Sequence, residues 1–137
     1  MPDFFASAQR HLADGDLLET HSRAPNAVQL WGYGAECVLK FVASKQGHFT
    51  LSPAGKPTNG FDLHVNQQRS GQTLLSLYNA LQSGTAALSG PASAFADWKV
   101  DARYEDGTQL NHISTYKADA SVFRALLSAA LKQGLLP

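Results

Sequence analysis

Three polar side chains recur along one side of a long apolar segment, and their types and spacing could support binding or catalysis. In the stretch NAVQLWGYGAECVLKFV, residues 26–42, the positions of Tyr33, Glu36 and Lys40 differ by three and four residues. That spacing places side chains on one face of an α-helix, where Glu36 and Lys40 can form an ion pair. The carboxylate is either solvated in that pair or directed into a cleft, where the Tyr33 hydroxyl could join it.

An arginine and a histidine nearer the C-terminus indicate a second kind of chemistry. Arg103 and His112 flank the segment RYEDGTQLNH. A guanidinium can bind phosphate oxygens with two parallel hydrogen bonds, and an imidazole can act as a general base near neutral pH. Together they could cleave RNA without a metal, with the histidine taking the 2′-OH proton and the arginine stabilising the charge at phosphorus. The alternative is a turn in which Arg103 pairs with Asp101 or Glu105.

The other reactive residue types form no pattern that predicts a site. The five histidines include no pair spaced by four residues on a predicted helix with a third ligand to follow, and no Gly-x-Ser-x-Gly motif is present. The single cysteine, Cys37, follows Glu36, whose charge raises the pKa of a neighbouring thiol. We therefore expect Cys37 to be a packing residue, and we predict neither a metal site nor a cofactor.

Two amphipathic segments near the N-terminus predict helices that must position these groups. Residues 3–20 carry apolar side chains at three- and four-residue steps after Asp3, a suitable N-cap, and Gly15 either weakens the helix or lets another backbone come close. Residues 26–44 are apolar around most of a helix, which is typical of a central one. The two glycines of that helix would allow a partner helix to approach closely.

The remainder of the chain predicts further helices and few strands. The patterns indicate a loop at 46–60, a third helix within 70–84, a short helix at 91–96, and an extended, looped or hairpin segment at 99–112. A last helix would be capped by Ser114 or Thr115 and end at Gly134. The sequence therefore predicts an all-α fold, an up-and-down antiparallel bundle of four main helices plus a short helix, with residues 1–137 as a single domain.

Composition limits the classes of partner. The chain has 137 residues, with 11 Lys plus Arg against 11 Asp plus Glu, so its net charge supplies no global field for nucleic acid or an anionic membrane. Contacts with nucleic acid would have to be local. One cysteine, no basic leader and no long apolar run predict a cytoplasmic protein without a membrane span. The apolar second and last helices exceed what one small bundle was expected to cover, which predicts a homodimer.

The line AVQLWGYGAECVLKFV resembles the second helix of HEPN-domain proteins, whose small prokaryotic members commonly carry a GY-x-x-E-x-x-LK pattern there. AQRHLADGDLL in the first helix, GFDLHVN after the loop, and W-x-x-x-x-RY at Trp98, Arg103 and Tyr104 also resemble that family. The resemblance implies a bundle of four or five helices that often dimerises. It also implies roles around RNA or nucleotides, as ribonuclease toxins, as partners of minimal nucleotidyltransferases, or as nucleotide-binding modules.

The catalytic members of that family carry an arginine and a histidine at a shorter interval, usually with a polar residue from the second helix, here Glu36. Eight residues lie between Arg103 and His112. On a continuous helix this interval would place them on opposite faces roughly 13 Å apart, too far to share a phosphate. Gly107 makes a continuous helix unfavourable, so a loop, or the second chain of a dimer, could still bring the two residues together.

The sequence favours a HEPN-like module without catalysis, whose groove along the second helix binds a nucleotide, RNA or a partner protein. The predicted contact residues are Tyr33, Glu36, Lys40, Arg103, Tyr104 and His112. Two alternatives stay open. One is a metal-independent endoribonuclease that uses Arg103 and His112 with Glu36 in support, and the other is a scaffold partner of a nucleotidyltransferase.

Overall fold

The computed structural model describes residues 2–84, 86–96, 98 and 113–137, and this part of the chain is predominantly helical. Its elements are α1 (Phe4–Thr20), α2 (Ala24–Lys45), a short antiparallel hairpin of β1 (Gln68–Arg69) and β2 (Gln72–Thr73), α3 (Leu74–Ala80), a 3₁₀ helix (Ala86–Leu88) and α4 (Ile113–Lys132). The predicted all-α class is confirmed. Within the described residues, no helix is both long enough and apolar enough to cross a membrane.

Helices α1 and α2 form an antiparallel pair. The carboxylate of Asp3 accepts a hydrogen bond from the backbone N–H of Ala6 at 2.9 Å, so the predicted N-cap is confirmed. Contacts between the helices run in opposite directions along the two sequences, with Phe5 against Phe41, Leu12 against Gly34, and Gly15 against Trp31. This pair is the frame on which the rest of the chain packs.

Glycines make the close approach between α1 and α2 possible. A Cβ atom on Gly15 would lie 2.4 Å from Cδ1 of Trp31, and one on Gly34 would lie 2.7 Å from the side chain of Leu12. Helix α1 continues unbroken through Gly15, and the group close to this glycine is the side chain of Trp31 and not a backbone, so neither predicted alternative is correct. Gly32 differs, because the group packed on it is Trp98 from a later segment and not a partner helix.

The last helix runs antiparallel to α1 and packs against α2. Arg124 donates to the carboxylate of Asp16 at 2.6 Å and to the carbonyl of Leu12 at 3.1 Å, while Lys117, earlier on α4, pairs with Glu19, later on α1. Phe123 on the inner face of α4 is fully buried. Polar contacts at the rim and apolar contacts inside therefore join three helices around one core.

Two predictions about the later elements were wrong in detail. The third helix is shorter than predicted, because it begins only after the Thr73 cap and ends at Ala80. Ser114 and Thr115 lie inside α4, which begins at Ile113, so neither residue can be its N-cap. The predicted extended, looped or hairpin segment at 99–112 lies outside the described residues.

The short helix predicted at 91–96 is also absent, because side chains of other helices bind the backbone of this segment. Asn79 donates to the carbonyl of Pro91, and Asp119 accepts the N–H of Phe95 at 2.9 Å. Phe95 has a φ of 52°, which a helix does not allow. Phe95 and Trp98 are nevertheless buried.

The loop predicted at 46–60 is confirmed and returns the chain across α2. Thr50 and Thr58 bridge it with backbone and side-chain hydrogen bonds, and the amide of Asn59 donates to the carbonyl of His48. Phe61 and Val65, which follow the loop, are completely buried. These anchors hold the intervening residues, including His64, against α2.

The reason for expecting a homodimer changes with these contacts. Most of α2 is buried within the chain itself, so its apolar surface needs no second copy to cover it. Among the described residues, the large apolar side chains that stay exposed are Leu17, Leu81, Val122 and Leu136. Dimerisation therefore remains a prediction and no longer follows from α2.

Candidate functional site

The polar face of α2 lies in a covered position and not in open solvent. The Nζ of Lys40 lies 2.8 Å from Oε2 of Glu36, which confirms the predicted ion pair. The two side chains are only 8% and 12% exposed, so the predicted solvated form of that pair is wrong and the pair is largely covered by the rest of the chain. Tyr33, one turn earlier on the same face, is half-buried beside them.

A histidine from the returning segment completes the carboxylate's contacts. Nδ1 of His64 lies 2.8 Å from Oε1 of Glu36, and the imidazole is 39% exposed. A carboxylate at Nδ1 favours a proton on that nitrogen and leaves Nε2 as the atom that can accept a hydrogen bond, or donate one when the ring is charged. Because its two oxygens are occupied by Lys40 and His64, Glu36 holds the histidine in place and offers no free carboxylate.

Aromatic rings surround this pair. The ring of Tyr33 lies 5.8 Å from that of His64 and 5.5 Å from that of Trp98, both edge to face, and 5.9 Å from the imidazole of His11. These separations are within the range in which aromatic pairs stabilise each other. The rings therefore form one packed group along the edge of α2.

Trp98 is the fixed member of that group. Its indole N–H donates to the carbonyl of Val28 at 2.9 Å, and its ring lies so close to Gly32 that an added Cβ would be 2.1 Å away. The residue is 2% exposed, whereas Tyr33 and His64 are partly open to solvent. Trp98 thus supports the two rings that a ligand can reach.

The second imidazole of the group, that of His11, has a lowered pKa. Burial, followed by the charge of Arg10, lowers the pKa of His11 below its usual value near 6.5. The adjacent Arg10 is exposed and donates to the hydroxyl of Ser7, and its positive charge acts on His11 and on Cys37.

Cys37, which follows Glu36 in the sequence, has no features of a reactive thiol. Burial first, and the charge of Glu36 second, raise its pKa to about 12. At neutral pH the side chain is a thiol, which is a poor nucleophile, in agreement with the packing role predicted for it.

The structure brings together some of the predicted site residues and adds others. Tyr33, Glu36 and Lys40 meet at one place, which we call the α2 site, together with His64 and Trp98. Arg103, Tyr104 and His112 lie outside the described residues.

Residue spacing does not identify His64, because this residue belongs to a segment without any helical or strand period. Only the resemblance of GFDLHVN and of the late tryptophan pattern to HEPN-domain proteins drew attention to that segment and to Trp98.

The α2 site offers two partly exposed rings, an imidazole nitrogen and a nearby guanidinium. In the part of the chain that the structure describes, no three histidine, cysteine or acidic side chains are grouped so as to hold a metal ion. Comparisons of the chain with models of protein families, with curated proteins and with solved structures gave no match.

Proposed function

We propose that this protein is a HEPN-like helical module that binds a nucleotide, free or within single-stranded RNA, at the α2 site. The observation that carries the proposal is the position of Tyr33 and His64. Their partly exposed rings are held edge to face by the buried Trp98 and by the hydrogen bond from His64 to Glu36.

Aromatic side chains held in this way suit a nucleobase. Unpaired bases stack on tyrosine, histidine and tryptophan rings, and such stacking is worth about 1–3 kcal/mol for each base. A ring that is already fixed loses little conformational freedom when the base arrives. Tyr33 and His64 would provide that surface, while Trp98 is too deeply buried to touch a ligand.

The charges at the α2 site favour weak and local recognition of phosphate. Lys40 is paired with Glu36 and nearly buried, so we assign it to holding the site and no longer to contacting the ligand. An exposed positive charge comes from Arg10, which acts on His11 and on Cys37. With a net charge of zero over the whole chain, binding should weaken as salt rises, but only with the shallow slope of one or two phosphate contacts.

The HEPN-like part of the proposal has its own support. The GY-x-x-E-x-x-LK pattern lies on the most buried helix, that helix pairs antiparallel with the one before it, and the last helix packs against both. Arg103, Tyr104 and His112 stay in the proposal as ligand contacts on the strength of the sequence alone.

The direct test is a thermal shift of the purified protein with millimolar adenosine 5′-monophosphate (AMP), and gel retardation of a short single-stranded RNA, each at low and high salt. We expect the melting temperature to rise with AMP, because a ligand that binds only the folded state stabilises it. If AMP shifts the melting temperature and RNA is not retained, the ligand is a free nucleotide. If RNA is retained and AMP raises the melting temperature only slightly, the ligand is single-stranded RNA.

Variants tie the effect to the site. Tyr33→Leu and His64→Ala should abolish the shift, whereas His21→Ala, which removes an exposed imidazole at the end of α1, should leave it unchanged. No shift and no retained RNA with the wild-type protein would overturn the proposal and favour a scaffold that binds a partner protein. The endoribonuclease alternative predicts RNA cleavage in EDTA that Arg103→Ala and His112→Ala remove.

A further inference from the structure

Gln29 is a buried amide without hydrogen bonds. The residue is 4% exposed, and neither its Oε1 nor its Nε2 has a hydrogen-bond partner. Among the described residues these are the only buried side-chain polar atoms in that state. Folded proteins pair the great majority of buried polar groups, because an unpaired one loses its bonds to water without replacement. The free protein therefore carries a cost that a purely structural residue at this position would avoid.

Gln29 belongs to the same face of α2 as the α2 site. It lies one helical turn before Tyr33 and two turns before Glu36, at spacings that align side chains along a helix. The preceding residue, Val28, supplies the carbonyl that holds the indole of Trp98. The unpaired amide therefore belongs to the residue one helical turn before Tyr33, on the face of α2 that carries the proposed base-stacking surface.

We infer that Gln29 is the specificity-determining residue of this site and that the base it selects is adenine. The inference rests on the proposed function. A primary amide presents one acceptor and one donor side by side, and the N6 amino group and N7 of adenine match them in a two-bond contact. The same edge of guanine carries two acceptors, O6 and N7, and would leave Oε1 of Gln29 without a donor. Guanine could match the amide only through its N1–H and O6, so the preference for adenine requires that the edge of the base that carries N7 faces Gln29.

The stacked base and the amide would act together. Tyr33 and His64 bind the face of any base, so they cannot distinguish adenine from guanine by stacking. Hydrogen bonds to the edge supply that distinction. Because Gln29 is almost fully covered in the free chain, the base must displace part of its cover, and the two new hydrogen bonds offset that displacement.

Replacing the Gln29 amide by an apolar group should raise the stability of the free protein and lower its affinity for AMP. Gln29→Met keeps the length of the side chain and its helix preference while removing both polar atoms. The melting temperature of the free protein should rise, because an apolar group replaces an unpaired polar one, and the affinity for AMP should fall about tenfold or more. Gln29→Leu serves as a second variant in case methionine packs poorly.

The matched control is Gln46→Leu. Gln46 exchanges two hydrogen bonds with Gln82, at 2.9 and 2.6 Å, so its loss should lower the melting temperature. Gln46 is not part of the α2 site, and AMP binding by the folded protein should not change. The contrast separates an unpaired glutamine that awaits a ligand from a paired glutamine that supports the fold.

The experiment measures melting temperature and calorimetric affinity for AMP, guanosine 5′-monophosphate (GMP) and ribose 5-phosphate with each protein. Support is a higher melting temperature for free Gln29→Met, together with a preference for AMP over GMP of about tenfold in the wild type that the variant loses. Equal affinities for AMP and GMP, or an unchanged AMP affinity in Gln29→Met, would overturn the inference while leaving the nucleotide site intact. Failure of the wild type to bind any of the three would overturn both.

Discussion

Two tryptophans in this protein lie on glycines, and they serve different regions. Trp31 of α2 packs on Gly15 of α1, and its indole N–H donates to the carboxylate of Asp16 at 3.0 Å. Trp98 packs on Gly32 of α2, and its indole N–H donates to a backbone carbonyl. Both rings are buried, so neither burial nor a satisfied N–H distinguishes the region that joins helices from the region that forms the site.

The carboxylates beside the two tryptophans show the difference. Asp16 binds Trp31 and Arg124, and Glu36 binds Lys40 and His64. The side chain of Asp16 is 47% exposed, whereas that of Glu36 is 12% exposed. The more buried carboxylate is therefore the one near the proposed ligand.

The two regions also differ in whether the partner of the carboxylate keeps an atom that is free to bind a ligand. Arg124 donates a second hydrogen bond to the carbonyl of Leu12. Its contacts therefore join α4 to α1, and Asp16 in turn joins α1 to Trp31 of α2. His64 binds Glu36 through one nitrogen and keeps the other on a partly exposed ring. His64 keeps an exposed nitrogen after it has bonded Glu36. Such a residue is a better candidate for ligand binding than a residue that is only buried.

The largest expected effect comes from removing the charge of Glu36. Glu36→Gln leaves the ammonium of Lys40 nearly buried without its counter-charge, and it should lower the free energy of unfolding by about 3 kcal/mol. Urea denaturation at pH 7 measures it. The double variant Glu36→Gln, Lys40→Met should recover most of the loss, because it removes the buried charge as well. Equal losses in the single and double variants would contradict the role of the ion pair.

Substitutions at the two glycines compare the two regions directly. Gly15→Ala and Gly32→Ala each force a Cβ into a tryptophan ring, at 2.4 and 2.1 Å, and each should cost about 2.5 kcal/mol through overpacking. Only Gly32→Ala should also abolish AMP binding, because it displaces the ring of Trp98 that packs against Tyr33. Gly84→Ala, where an added Cβ meets nothing within 4 Å, is the control for stability. A loss of AMP binding in folded Gly15→Ala would remove the distinction between the regions.

Asp16→Ala tests the connection among the helices. It leaves the indole N–H of the fully buried Trp31 without an acceptor, and it should cost about 2 kcal/mol. The ion pair with Arg124 adds little, because both side chains are substantially exposed. Arg124→Met should therefore be milder than Asp16→Ala in the same urea titration. The reverse order would show that the ion pair, and not the indole bond, stabilises this region.

At neutral pH the smallest effect is that of Cys37, next to Glu36, because its influence on stability appears only at alkaline pH. The pKa of Cys37 is about 12 in the folded chain, against an unfolded value near 8.5, so the folded state keeps a proton that the unfolded state releases. Stability should therefore fall as pH rises above 8.5, by up to about 1.4 kcal/mol per pH unit, until pH approaches 12.

Cys37→Ala provides the measurement for that dependence. Its stability between pH 9 and 11 should fall less steeply than that of the wild type, as followed by urea denaturation at several pH values. The raised pKa of Tyr78, which burial causes, contributes equally to both proteins near and above pH 10. Identical slopes for the two proteins would show that Cys37 ionises as freely in the folded state as in the unfolded one.

The sequence predicted the parts of this protein that depend on neighbours along a helix. The ends of α1 and α2, the cap at Asp3 and the ion pair of Glu36 with Lys40 follow from three- and four-residue spacing, because a helix fixes those distances within one segment. The same rule failed at 91–96, where Asn79 and Asp119 from other helices compete for the backbone. Local preference predicts an element only where no distant side chain offers the backbone a better partner.

The α2 site depends on contacts between residues that are far apart in the sequence. Sequence placed Tyr33, Glu36 and Lys40 on one face, but His64 reaches Glu36 across 28 positions and Trp98 reaches Val28 across 70. No period marks those positions, since irregular segments carry no repeat that says where they return. Only the packed fold decided that the ion pair would be covered, that Gln29 would be left without a hydrogen bond, and that one imidazole would be held beside them, because each of these depends on segments that meet only in the folded chain.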